Sequence, residues 1–139
     1  MVVVLLNQLH KKDLKRLHML YKMINYTFYL GEFNGYSYVG STKDYPKRTR
    51  DHFYNCYNEN APKHNYDCYQ KIRNAIEKPT CLEQFRTYYT IIAEISFPDE
   101  DEEILRQHVE EMENTFIRMF NTTLNKIMPL GNSFNKYEE

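Results

Sequence analysis

Tyr38-Val39-Gly40-Ser41-Thr42-Lys43-Asp44-Tyr45-Pro46-Lys47-Arg48-Thr49-Arg50-Asp51-His52-Phe53 is the stretch that decides how this chain folds. An aromatic and β-branched run stops at Gly40, a short polar turn follows, and a helix start comes next. Asp44 is placed to cap the first free amides, and Pro46 fits the first turn, where its missing N–H costs no hydrogen bond. A helix from about 45 to 57 then holds Arg48 and His52 on one face, four residues apart. A strand ending at glycine, a capped turn and a helix bearing Arg and His together point to phosphate handling.

Working outward, Ile24 to Leu30 and Tyr36 to Gly40 read as two strands, and Asn34-Gly35 between them is a strong hairpin signal. Downstream, a polar loop (58–65) leads to a helix over 66–78, a break at Pro79, and a strand over 85–97 rich in Tyr, Thr and Ile. Pro98 ends that strand, and acidic residues open a last helix over 99–120, where they complement the helix dipole. Upstream, Leu9 to Met23 has the apolar spacing of a short amphipathic helix. The pattern is α+β, in the order β-β-α-α-β-α, with 1–23 as an N-terminal extension and 24–139 as the domain.

A chain of 139 residues is large enough for one core. The apolar run Val2 to Leu6 is too short for a signal-peptide core or a membrane span, so the expectation is a soluble, intracellular protein with no membrane partner. Cys56, Cys68 and Cys81 are odd in number and contain no CxxC pair, which fits a reducing compartment. The net charge of -1 hides an asymmetry: residues 1–78 hold 13 Lys and Arg against 7 Asp and Glu, and residues 79–139 hold 5 against 12. A basic half of this kind suits a polyanion.

In the last helix, Val109, Phe116, Ile117 and Phe120 form an apolar stripe, and Glu113 falls inside it. Burying an unpaired carboxylate costs several kcal/mol, so something must offset it. A divalent ion at a cleft edge would do so, since Mg²⁺ is usually held by one or two carboxylates together with water and phosphate oxygens.

These residues resemble the GIY-YIG nuclease family over about Ile24 to Ile127. Tyr38 and Gly40 match the Tyr and Gly of the second half-motif, Arg48 and His52 the helix Arg and His, Glu113 the later Glu, and Asn125, in Leu124-Asn125-Lys126, the Asn that follows. The resemblance implies a small three-stranded antiparallel sheet flanked by helices and a metal-dependent endonuclease that hydrolyses DNA with one Mg²⁺ or Mn²⁺ held by Glu113. It also implies that Arg48 grips the scissile phosphate, that Tyr38 and His52 relay or tune a proton, and that Asn125 orients a tyrosine or the substrate. Gly40, Ser41, Lys43, Lys47 and Arg50 are the expected DNA contacts. No obligatory protein partner is expected, and a bare nuclease domain suits a virus or mobile element.

The first half-motif lacks its usual Gly-Ile-Tyr. Tyr26 leaves eleven residues before Tyr38 and Tyr29 leaves eight, so spacing favours Tyr26 as the first-motif tyrosine, which the resemblance implies helps to deprotonate the attacking water. A two-residue turn would set Tyr26 and Tyr38 on opposite sheet faces; a three-residue loop, Phe33-Asn34-Gly35, would bring them together, and that loop is expected. Two other readings compete with cleavage. One is a DNA-binding domain of the same fold that does not cut. The other is a small zinc-stabilised protein, because His52, Cys56, His64 and Cys68 form two pairs at helical spacing.

Overall fold

The computed structural model describes residues 22–127. The amphipathic segment Leu9 to Met23 lies outside the described residues except for its last two, and Met23 already opens the first strand. The chain is α+β: strands β1 (Met23–Phe33), β2 (Tyr36–Thr42) and β3 (Tyr89–Pro98) form one antiparallel sheet in the order β2-β1-β3. Helices α1 (Tyr45–Tyr57), α2 (Asp67–Ala75) and α3 (Leu82–Arg86) lie between β2 and β3, and α4 (Glu102–Phe120) and α5 (Leu124–Ile127) follow. No described helix is long and apolar enough to cross a membrane.

The hairpin turn departs from expectation. Phe33 pairs with Tyr36, so the turn has two residues, and Asn34 (φ 47) and Gly35 (φ 99) are both left-handed. That is the turn whose twist matches the two strands, and Asn-Gly is its preferred pair. The three-residue loop is therefore wrong, and the even register puts Tyr26 and Tyr38 on opposite faces of the sheet.

One face carries an aromatic core that includes Tyr29, Phe33, Tyr38, Tyr69, Phe85 and Tyr89 and is covered by α1 to α3. The other packs Phe28, Ile95, Phe97, Leu105 and Val109, and beside them Leu30, Val39 and Ile117, under α4. Tyr89 and Ile95 share parity along β3 yet serve opposite faces. The bulge between Phe28 and Tyr29 explains this: Phe28 pairs with Ala93 and Tyr29 with Ile91, so Ile92 is the extra residue that switches sides.

Local chemistry sets the helix limits. Asp44 accepts the Lys47 amide at 3.1 Å, and α1 occupies the residues expected of it. Asp101 caps α4 by accepting the Glu103 amide at 2.9 Å, so α4 begins after Asp101 and not at Asp99; it ends at Asn121 in the left-handed conformation. The strand expected from Phe85 begins at Tyr89, because α3 intervenes. Gln84 folds back to accept the Thr80 amide at 2.6 Å, and Phe85 turns into the aromatic core. The second helix is shorter than expected, ending at Ala75.

Candidate functional site

A cleft of about 430 Å³ lies between the end of β2, the first turns of α1 and one face of α4. Ser41, Lys43, Lys47 and Arg48 contribute from β2 and α1, and Glu113 from α4; Tyr26 lies in the cleft from β1. Glu113 is 5 % exposed in the buried row Leu105, Val109, Glu113, Ile117, the four-residue spacing of one helix face. Ser41 Oγ donates to Glu113 Oε2 at 2.5 Å. Burial lifts the Glu113 pKa to about 7; the Ser41 hydrogen bond opposes that, neighbouring Glu110 adds to it, and the Arg48 charge opposes it.

On the other sheet face, His52 lies 4 % exposed at the centre of the aromatic core. Its Nε2 is 2.8 Å from the Tyr29 hydroxyl and its Nδ1 is 2.8 Å from the Tyr69 hydroxyl, while the Tyr89 ring stacks on it at an interplanar angle of 14°. A neutral imidazole has one N–H and one lone pair, so one phenol donates to it and the other accepts from it. Burial, with the Arg48 and Lys63 charges, pushes the His52 pKa down to about 3, so the ring is neutral at physiological pH. Arg48 is thus the side chain whose charge reaches both Glu113 on one side of the sheet and His52 on the other.

The structure brings together Tyr38, His52 and the tyrosine of β1, but that tyrosine is Tyr29. The Tyr29 and Tyr38 rings lie 6.0 Å apart, and Tyr38 and His52 lie 5.8 Å apart. Tyr26 instead packs edge-on against Phe97 on the α4 face, 5.9 Å away, where burial and Glu102 raise its pKa. A phenol so shifted ionises less readily, and Tyr26 stands across the sheet from Tyr38 and His52, with which it was expected to converge. The sequence signal for Tyr29 was the turn itself: a two-residue Asn-Gly turn sets Tyr29 opposite Gly40 and Gly31 opposite Tyr38, all on one face.

Three further expectations change. Gly40 is buried and meets the tip of Tyr29; a Cβ there would overlap the Tyr29 hydroxyl and come within 2.9 Å of the Tyr38 ring, so this glycine makes room for tyrosines in the core, where it was expected at the surface. Ser41 is likewise buried, and its hydroxyl serves Glu113. Asn125 is fully buried and neither orients a tyrosine nor faces substrate: Oδ1 accepts from the Val39 amide (2.7 Å) and the Thr122 hydroxyl (2.6 Å), and Nδ2 donates to the Val39 carbonyl (3.1 Å). It imitates a neighbouring strand along the edge of β2. Lys43 and Lys47 stand exposed at the cleft, Lys47 within 3.0 Å of Asp51, whereas Arg50 is exposed outside the cleft lining.

His52, Cys56, His64 and Cys68 do not form a zinc site. Both His52 ring nitrogens are taken by tyrosines, His64 Nδ1 lies 3.1 Å from the Asn55 carbonyl, and burial pushes both cysteine thiols up to about 12, away from the thiolate that zinc needs. Among the described residues, no group of three or more His, Cys, Asp and Glu side chains could hold a metal ion. A single Mg²⁺ does not require such a group: Glu113, with Glu110 also in the cleft lining, matches the one or two carboxylates by which Mg²⁺ is commonly held.

No protein-family model, characterised protein or solved structure matches this chain.

Proposed function

We propose that the protein is a metal-dependent endodeoxyribonuclease of the GIY-YIG type, which hydrolyses DNA phosphodiester bonds at the cleft between α1 and α4. The observation that carries this reading is Arg48, which lines one cleft with the buried carboxylate of Glu113 and stands one turn of α1 before His52 of the buried Tyr-His-Tyr chain. A phosphate transition state needs both, with positive charge at the phosphoryl oxygens and proton acceptance at the attacking water.

In this reading Arg48 binds the non-bridging oxygens of the scissile phosphate through its forked N–H groups. Water attacks phosphorus and the bond to the 3′ oxygen breaks, leaving a phosphate on one end and a hydroxyl on the other. The resemblance assigns the proton of that water to Tyr38, whose hydroxyl is buried in the aromatic core, so this step requires the phenol to open towards the cleft. Tyr29, His52 and Tyr69 hold the phenol cluster in place. A divalent cation bound at Glu113 would supply positive charge at the leaving oxygen. Ser41 fixes the carboxylate that would hold it.

Incubating plasmid and linear DNA with the protein, with Mg²⁺ or with EDTA, tests the proposal. Wild type should cut only with the metal, and Glu113→Gln should not cut. Arg48→Ala should lose 10²- to 10³-fold in rate while retaining most DNA affinity, because a preorganised donor to the transition state is worth about 3 to 4 kcal/mol. Arg48→Lys should not rescue it. Equal cutting by wild type and Glu113→Gln would remove the carboxylate from the mechanism; metal-independent DNA binding without products would favour the binding-only domain.

A further inference from the structure

The two walls of the cleft differ in a way that hydrolysis alone does not require. Lys43, Lys47 and Arg48 all stand on the β2 and α1 side, with Asp44 and Asp51 between them and Lys47 bridged to Asp51 at 3.0 Å. The α4 side presents Glu102, Leu105, Val109 and Glu110, and its one cation, Arg106, is bridged to Glu103 at 2.8 Å and to Glu110 at 3.2 Å. Tyr26, half-buried, lies in the cleft and packs against the same α4-face core.

A phosphodiester backbone gains from the basic wall and loses against the acidic one. A second strand running along α4 would set its phosphates against Glu102 and Glu110. An unstacked base has the opposite needs: an aromatic and apolar surface for its face, and acceptors for its amino groups. Tyr26, Leu105 and Val109 offer the first, and Glu102 offers the second. A volume of about 430 Å³ also lies in the range of small-ligand sites, roughly 300 to 1,000 Å³, enough for one nucleotide unit.

We infer that the cleft takes a single DNA strand, with the nucleotide beside the scissile phosphate unstacked against Tyr26, Leu105 and Val109. This rests on the nuclease reading and narrows its substrate to single-stranded or locally opened DNA. Tyr26 acquires a function in place of the one the sequence suggested for it, as a surface for a base and not as a base catalyst.

Fluorescence anisotropy with a labelled oligodeoxycytidylate and with a blunt duplex, both in EDTA so that no cutting occurs, tests the inference. Wild type should bind the single strand at least tenfold more tightly than the duplex at equal salt, a comparison that needs no variant. Its log-log salt slope on the single strand should be about -2, as expected for three cations at about 0.7 each. Tyr26→Leu should weaken single-strand binding about tenfold and leave duplex binding unchanged, while Tyr26→Phe, which keeps the ring, should bind as wild type does. Equal or tighter binding to duplex, or a silent Tyr26→Leu, would overturn the single-strand inference and leave the nuclease proposal standing. Absence of binding to either DNA would overturn both.

Discussion

Glu113 shows how one residue can be a cost to the fold and a resource for the site. Its folded pKa of about 7 lies above the ordinary carboxylate value of 4.5 because burial disfavours the charged form. Between those two pH values the unfolded chain has released a proton that the folded chain keeps, so stability falls as pH rises through the window. Above pH 7 the penalty is complete, at about 3 kcal/mol for a shift of this size. Glu113→Gln keeps an oxygen to accept from Ser41 and has no charge to bury. Urea unfolding in EDTA should find the variant about 2 to 3 kcal/mol more stable than wild type at pH 8 and nearly equal to it at pH 5; a difference independent of pH would show that Glu113 is not buried as an acid. The placement of this carboxylate was legible in the sequence, because a charge inside a four-residue apolar repeat is visible without tertiary information. Its Ser41 partner was not, since β2 and α4 meet only in the folded chain.

At the scale of elements, α5 deserves its own account, since it is only four residues long yet closes an open sheet edge. Asn125 supplies both an acceptor and a donor to Val39, and beside it Ser37 and Thr123 exchange hydrogen bonds, with the Ser37 amide donating at 2.8 Å and the Thr123 amide at 3.2 Å. A short segment thereby satisfies β2 where a fourth strand would otherwise pair. Asn125→Ala leaves a buried amide and carbonyl without partners and should cost about 2 to 4 kcal/mol, read as a lower urea midpoint. Its cleavage rate should recover to near wild type under conditions that restore folding, such as low temperature with osmolyte, because Asn125 touches strand and not substrate. A folded but inactive variant would return Asn125 to the reacting groups. Elements with local signals were readable in advance: α1 follows from Asp44 and Pro46 alone, and β1 and β2 from their composition. The five-residue α3 carries too few residues for a period, and the β3 bulge is decided by packing on two faces, so neither could be read from the chain. The hairpin differs: motif spacing favours a three-residue loop, and the local preference of Asn-Gly for a two-residue turn prevails.

For the molecule as a whole, the two buried titrating groups sit on opposite faces of the sheet and respond to acid in opposite directions. His52 has a folded pKa of about 3 against an ordinary value of 6.5, so it is buried neutral. Below pH 6.5 the unfolded chain binds a proton that the folded chain refuses, and stability falls as pH drops, by about 4 kcal/mol once pH 3 is reached. Glu113 acts in reverse, adding stability as pH drops from 7 towards 4.5. Thermal unfolding in metal-free buffer should therefore show a stability maximum near pH 6, with Glu113 shaping the alkaline limb and His52 the acid limb. His52→Gln should be less stable than wild type at pH 7, because an amide cannot span two phenols as the imidazole does, yet its further loss between pH 6 and pH 4 should be smaller. A variant that loses stability in acid as steeply as wild type would show that His52 is not the group being charged. The same neutrality bears on function, since an imidazole that stays neutral throughout the working range can fix Tyr29 and Tyr69 without placing a positive charge in the core.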